Sequence, residues 1–368
     1  MKTSFFSLLM VMVSLFSWSQ AEDQKAFFKA PENSVLVATD LHIHTVFSDG
    51  SVWPNIRVDE ALREGLDLIA LTEHLEYQPH REDIPHPDRN RSYQIAQHHL
   101  GNNPALQVIN GSEITRSMAP GHINAVFVEN ANPLLQKDSL SGIVEANKQG
   151  AFVFWNHPDW PAQRLDGIAR LEPFHQYLID NKLLHGIEVV NEHTFSEEAL
   201  ELALKHGLTI LGTSDIHGLT GWSFNIPEGG HRPMTFVWAQ TATKEAVKQS
   251  LKDQKTIVWY KDLLIGAMVH IEPVLLANLS GTALGYEGKN LIAKVQLTNH
   301  SALPMILDYQ GDYSFLEHGP LVKIPPYSST TLRIRTRTKK DQLNLPFKVR
   351  NVFVGAKKNP VLPISVVF

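Results

Sequence analysis

The 368-residue sequence predicts an α/β fold of parallel strands joined by helical crossovers, a barrel or an open sheet, followed by a small all-β domain. Three observations predict it. Strand-like and helix-like patterns alternate from residue 35 to residue 252. Histidines and carboxylates gather at the ends of the expected strands, which is where α/β barrels collect their chemistry. From about residue 269 the chain turns to short segments rich in β-branched residues, separated by Asn, Gly, Pro or Ser turns, with no helical period.

In chain order, the strand expected over 35–40 is apolar and runs into a segment that carries His42, His44 and Asp49 and closes with an Asp-Gly turn signal. Residues two apart in an extended segment point to the same side, so His42 and His44 can face one ion. Alone, that pair means little. With 18 His in the chain, about one His-x-His pair is expected by chance. A helix is expected over 54–64, with Pro54 in its first turn and Gly65 at its C-terminal cap. The strand over 66–72 ends in Glu73-His74, and a polar loop and a helix over 91–100 follow it.

The strand over 106–111 ends near Glu113, and the next, 123–128, follows His122 directly. A helix over 140–148 leads to a strand over 151–155 that ends in Asn156-His157-Pro158. The segment 168–184 reads as largely helical but broken by Pro173, and the strand over 186–190 ends in Asn191-Glu192-His193. Thr194 with Glu197 suggests a capping box for the helix that Gly207 stops. The strand over 208–212 ends in Thr213-Ser214-Asp215-Ile216-His217. A Gly-rich loop over 218–230, a strand over 234–239 and a helix over 244–252 follow. The boundaries expected are a signal segment 1–21, a linker 22–34, a chemical domain 35–268 and a β-sandwich 269–368.

Composition narrows the function. The hydrophobic fraction of 43% is that of a packed globular protein. A formal charge of −5 leaves no electrostatic footprint for long nucleic acids. The absence of cysteine excludes disulfides, thiolate metal sites and a cysteine nucleophile. Lys2, the uncharged apolar run 5–18 and the small residues after it read as a secretory signal, cleaved after Ser19 or Ala21. That run falls short of the ~20 residues a membrane span needs, so an exported, periplasmic or secreted chain without a transmembrane anchor is expected.

The strand-end set comprises His42, His44, Asp49, His74, Glu113, His122, His157, Asp215 and His217. Six imidazoles and three carboxylates exceed the four ligands of one zinc ion and suit two or three divalent ions, Zn, Mn or Fe, with Glu113 a candidate bridge. Such ions lower the pKa of a bound water and polarise phosphoryl oxygens, which predicts hydrolysis of a small phosphate ester, a diester before a monoester. Arg116, three residues past Glu113, is a candidate to grip a phosphate oxygen, and His193 a candidate substrate contact.

These motifs, in this order, resemble the PHP (polymerase and histidinol phosphatase) superfamily over residues 39–252. His42-x-His44 with Ser48-Asp49-Gly50, Thr72-Glu73-His74, Glu113, Gly121-His122, Asn156-His157-Pro158 and Ser214-Asp215-x-His217 carry the resemblance. It implies a distorted (β/α)7 barrel with a trinuclear site. His42, His44, Glu113 and Asp215 would hold one ion, Glu113, His122 and His157 a second, and Asp49, His74 and His217 a third. Asp49 stands where many members have His, and Glu73 replaces a frequent Asp. The export signal and β domain look like the secreted branch similar to Sb-PDE-type phosphodiesterases. A histidinol-phosphate phosphatase, a nuclease on short oligonucleotides and a metal-dependent binding module are the alternatives.

Overall fold

The computed structural model describes residues 27–368. The expected signal segment and residues 22–26 of the expected linker lie outside the described residues. In chain order the first domain runs β1 (Val35–Asp40), α1 (Pro54–Arg63), β2 (Leu68–Leu71), α2 (Arg91–Leu100), β3 (Gln107–Ile114), β4 (Ile123–Val126), α3 (Ser139–Lys148), β5 (Phe152–Trp155) and α4 (Pro173–Asp180). It continues through β6 (Gly186–Asn191), β7 (Thr194–Phe195), α5 (Glu197–His206), β8 (Thr209–Thr213), α6 (Thr220–Ser223), β9 (Met234–Ala239), α7 (Lys244–Lys252), β10 (Thr256–Tyr260) and β11 (Leu263–Gly266). Every residue of β2, β4, β5 and β8 is buried, as expected of strands covered on both faces.

These strands form one curled sheet, in the order β11-β10-β9-β1-β2-β3-β4-β5-β6, with β8 paired to β6. Pairing is parallel from β1 to β3 and from β5 to β6 and β8, whereas β4 runs antiparallel to both of its neighbours. The curl brings β8 against β9 and β10, and side chains close the seam. Thr235 Oγ1 accepts from Gly212 N at 2.9 Å and lies 2.8 Å from Gly212 O, while Thr256 Oγ1 donates to Ile210 O at 2.8 Å. The result is the distorted α/β barrel that the motif order implied.

Local chemistry explains several boundaries. Pro173 starts α4 instead of breaking a longer helix, because a first-turn proline forfeits no helical hydrogen bond. Thr194 does not cap α5. It pairs in β7 with the end of β6, and Ser196 caps the helix by accepting from Ala199 N. Gly207, at φ +66°, then ends it in the left-handed conformation. The Gly-rich loop holds α6 and a short 3-10 turn, Ile226–Glu228.

The β domain consists of two four-stranded antiparallel sheets. One orders Leu279–Tyr286, Ile292–Asn299, Ser329–Arg335 and Ser314–Leu316; the other orders Leu321–Ile324, Met305–Tyr309, Gln342–Val349 and Val361–Val367. Burial alternates with period two along Ile292–Asn299 and Val361–Val367, so each sheet turns one apolar face to the other. β10 and β11, for which no element was expected, continue the barrel sheet beyond α7 within the expected 35–268 domain, and α8 (Met268–Asn278) is a helix at the start of the segment expected to be all β. α8 is apolar almost all round in sequence and contains Pro273, but it buries only one side, Ile271, Val274, Leu275 and Asn278, against the joint of the two domains and leaves Val269 and Leu276 exposed. The β domain also returns Val352–Phe353 to pair with β11. Asn278 caps this joint, accepting from Lys29 N and donating to Lys29 O at 2.9 Å each.

The seam is tightly packed at Gly212, where a Cβ would fall 2.2 Å from Val258 Cγ1. Gly212→Ala is therefore expected to destabilise the chain by about 1–3 kcal/mol through overpacking. An unchanged midpoint in chemical denaturation would show that the seam yields freely.

Candidate metal centre

Nine side chains from six strand ends meet at one end of the barrel. His42 and His44 follow β1, His74 follows β2, Glu113 lies in β3, His157 follows β5, and Asp215 and His217 follow β8. His122 precedes its strand in sequence. β4 is antiparallel, however, so its start lies at the same end as the finish of β3 and β5. Two of the nine hold backbone conformations that side chains rarely adopt, His157 at φ +26° and Asp215 at φ +48°. Such strain persists only where the surroundings enforce it and collects at functional sites.

The donor atoms are spaced as a cation would space them. His42 Nε2 and His44 Nε2 are 3.0 Å apart, Asp215 Oδ1 is 3.1 and 3.0 Å from them, and Glu113 Oε2 is 3.4 and 3.3 Å from them. Four tetrahedral donors at zinc-like bond lengths of about 2.0–2.1 Å would stand roughly 3.3 Å apart. A second group is centred on Asp49, with Oδ2 3.4 Å from His74 Nε2 and Oδ1 3.2 Å from His217 Nε2. A third lies around Glu113 Oε1, 2.8 Å from His122 Nδ1 and 3.5 Å from His157 Nε2. His74 Nδ1 also comes within 2.9 Å of Glu113 Oε2, so a His74, Glu113 and His122 grouping competes with the one implied by the motifs.

The hydrogen bonds on the far side of each ring orient these donors. His42 Nδ1 donates to Glu188 Oε1 at 2.8 Å, and His217 Nδ1 donates to Asp215 O at 2.7 Å. Ser48 Oγ donates to Glu73 Oε2, which leaves it to accept from His44 Nδ1 at 3.2 Å. Thr115 Oγ1 donates to Glu113 O and accepts from His74 Nδ1 at 2.7 Å. Each arrangement gives Nδ1 an acceptor and leaves Nε2 as the ring nitrogen turned toward the cluster. Two ring nitrogens and two carboxylate oxygens then converge at hydrogen-bond distance, where protons or a cation must lie between them. Asp49 Oδ1 and Asp215 Oδ1 are buried with no hydrogen bond. The residues fit a bound cation.

Electrostatics leads to the same conclusion. Burial disfavours charge on His42, but Asp215, Glu188 and Glu113 outweigh it and hold its pKa well above the ordinary value. Burial is likewise overcome at His74, pushed up to about 10 chiefly by Glu113 and Asp49. Glu113 and Asp215 are held well below the usual carboxylate range, against burial, by the surrounding imidazoles. The pocket demands positive charge.

Residues that motif reading missed hold the frame. Glu188 binds His42 Nδ1, Thr213 Oγ1 at 2.7 Å, His157 N at 2.7 Å and Asn191 Nδ2 at 2.9 Å. A carboxylate inside the apolar run Gly-Ile-Glu-Val-Val was its signal in the sequence. Buried Arg57 donates to the carbonyls of His44, Ile216, His217 and Gly218, fastening two ligand segments together. Buried Arg232 pairs with Asp40 and Glu64, and Asp40 in turn holds Ser214 beside Asp215.

The two remaining candidates are not among the donors that converge there. Arg116 pairs with Glu76 at 2.7 Å and donates to Gln136 O at 2.6 Å, so the guanidinium expected to grip phosphate is already engaged. His193 packs its ring on Phe224 at 5.1 Å and accepts the Tyr260 hydroxyl on its carbonyl. It lines a cavity of about 680 Å³ between the barrel and the β domain, whose walls include none of the nine cluster residues.

Comparison with known proteins places this arrangement in context. The chain is 35% identical to a two-domain protein of Bacteroides vulgatus that contains a predicted PHP-like metal-dependent phosphoesterase; the match covers 94% of this chain and 99% of that one, with a TM-score of 0.86. A protein of Bifidobacterium adolescentis described as a metal-dependent phosphoesterase is 18% identical over 52% of this chain and 90% of its own, with a TM-score of 0.37. The histidinol phosphate phosphatase of Lactococcus lactis is 14% identical over 59% and 93%, with a TM-score of 0.30. A sequence-family profile described as an Ig-like domain matches residues 280–365. No curated protein matches the chain.

Metal ligation requires neutral imidazoles, whereas His74, with its pKa near 10, keeps its proton at pH 8 in the metal-free protein. Adding metal at pH 8 is therefore expected to release protons, and apparent affinity to rise with pH until it passes about 10. Calorimetric titrations in two buffers of different ionisation enthalpy measure this. Identical heats in both would contradict it.

Proposed function

The chain belongs to the PHP-like metal-dependent phosphoesterases, and from that premise we propose that its centre hydrolyses small phosphodiesters using two or three divalent ions, Zn, Mn or Fe. The observation that carries this reading is the spacing of His42 Nε2, His44 Nε2, Asp215 Oδ1 and Glu113 Oε2 around one point, with the other ring nitrogen of each histidine held by an acceptor behind it. In this reading those four residues hold one ion. Asp49, His74 and His217 hold another, and Glu113, His122 and His157 a third. Bound ions would polarise the phosphoryl oxygens and make water a competent nucleophile at neutral pH.

The chain's own part is positional. Glu188, Ser48, Thr115 and the Asp215 carbonyl keep the ring lone pairs aimed inward, and Arg57 keeps the two ligand segments in register. The preference for a diester is supported by the engagement of Arg116 with Glu76. A diester carries one negative charge at neutral pH, and a monoester close to two, so a site whose candidate guanidinium is already paired with a carboxylate suits the diester better.

The test combines metal content with turnover of p-nitrophenyl phosphate, bis-p-nitrophenyl phosphate and a short oligonucleotide, for wild type, His42→Ala and Glu188→Gln. Wild type should carry two or three ions and turn over the diester fastest. His42→Ala should abolish turnover. Glu188→Gln should weaken metal affinity or activity by about 10- to 100-fold. Full metal content with no turnover of any of the three would refute the hydrolase reading.

We also propose that the chain is exported, on the strength of Lys2 and the apolar run 5–18. Among the described residues no helix is long and apolar enough to cross a membrane. N-terminal sequencing of the mature protein should begin after Ser19 or Ala21. A chain still starting at Met1 would rule this out.

A further inference from the structure

The rim of the centre is aromatic. The Trp160 ring lies 5.5 Å from that of His122 and 5.1 Å from that of His157, and the Tyr77 ring lies 6.0 Å from that of His74. Both stay largely open to solvent, Trp160 at 43% and Tyr77 at 52% exposure. Large aromatic rings usually contribute by being covered, so two left exposed beside a buried polar centre offer faces to something that arrives there.

The rings come from different segments, Tyr77 from the loop after β2 and Trp160 from the turn after β5. Arg116 joins the two. Its guanidinium pairs with Glu76, the neighbour of Tyr77, and its carbonyl accepts from Gln163 Nε2 at 2.9 Å. Gln163 belongs to the same turn as Trp160, since Gln163 N donates to Trp160 O at 2.9 Å. Glu76 is tied back to the barrel by accepting from Thr115 N at 2.8 Å.

We propose that Tyr77 and Trp160 form an aromatic clamp for a flat ring on the alcohol half of the substrate, an aryl group or a nucleobase, and that Arg116 is the positioning residue that sets their spacing. The alcohol half meets ring faces instead of a free guanidinium, so it is selected by stacking and apolar contact. The clamp rests on the phosphoesterase reading for its role in a reaction, but as a binding device it can be tested separately.

The experiment measures binding of benzylphosphonate and ethylphosphonate, non-hydrolysable ligands that differ in the ring, to metal-loaded full-length protein by calorimetry. Wild type is expected to prefer the benzyl ligand by about tenfold. Trp160→Ala and Tyr77→Ala should each bring that ratio close to one at unchanged metal content, and Trp160→Phe should keep most of it. Arg116→Gln should lower the ratio, whereas a merely structural role would weaken both ligands alike. Competition by adenosine monophosphate against ribose 5-phosphate separates a nucleobase from an aryl preference. A wild-type ratio near one, binding of neither ligand, or an undiminished ratio in both alanine variants would overturn the clamp. Ring-selective binding without hydrolysis of any ester would leave the clamp standing and remove the phosphoesterase reading; hydrolysis without ring preference would do the reverse.

Discussion

His42 Nε2 and His44 Nε2 stand 3.0 Å apart in a fully buried place, with the oxygens of Asp215 and Glu113 within 3.4 Å of both. Lone pairs on four donors repel at that distance, and low-dielectric surroundings strengthen the repulsion. Only positive charge between them reconciles the arrangement, as protons or as metal ions. The raised pKa values of His42 and His74 and the depressed ones of Glu113 and Asp215 express the same demand.

An arrangement of this kind collapses unless its members are held from behind, and much of the barrel's buried polar chemistry does that holding. Glu188 fixes His42 and the backbone at His157, Glu73 holds Ser48 behind His44, and Arg57 and Arg232 pin the segments after β1 and β8. Both arginines are wholly buried, which is costly unless every donor is met, and each is met by carboxylates and carbonyls. The side-chain seam between β8 and β9 serves the same end, because Asp215 and His217 can reach the His42 side only if β8 curls back onto the strands beside β1.

The alternation of strand and helix, the change to β segments after the barrel and the nine strand-end residues were legible in the sequence because each is a local pattern or a motif. Other features were not. β10 and β11 carry no signal that separates them from a loop before a new domain, and α8 is too evenly apolar to show a face. Glu188 sits outside any motif, since its role is defined chiefly by three partners far away in the chain, His42, His157 and Thr213. Arg116 looked like a phosphate ligand by its spacing from Glu113. A neighbour from another loop, Glu76, captures it instead.

The sequence by itself determined which residue types stand at strand ends, and from them the metal chemistry and the family, because period, turn signals and donor identity are properties of short stretches. Tertiary structure alone decided which donors share a point, which imidazole nitrogen faces inward, and that His122 joins the cluster from the start of an antiparallel strand. It also decided that His193 lines a different cavity and that Tyr77 and Trp160 flank the centre. The physical reason is that these relations depend on the curl of the sheet and on loops meeting across it, distances that no local pattern encodes.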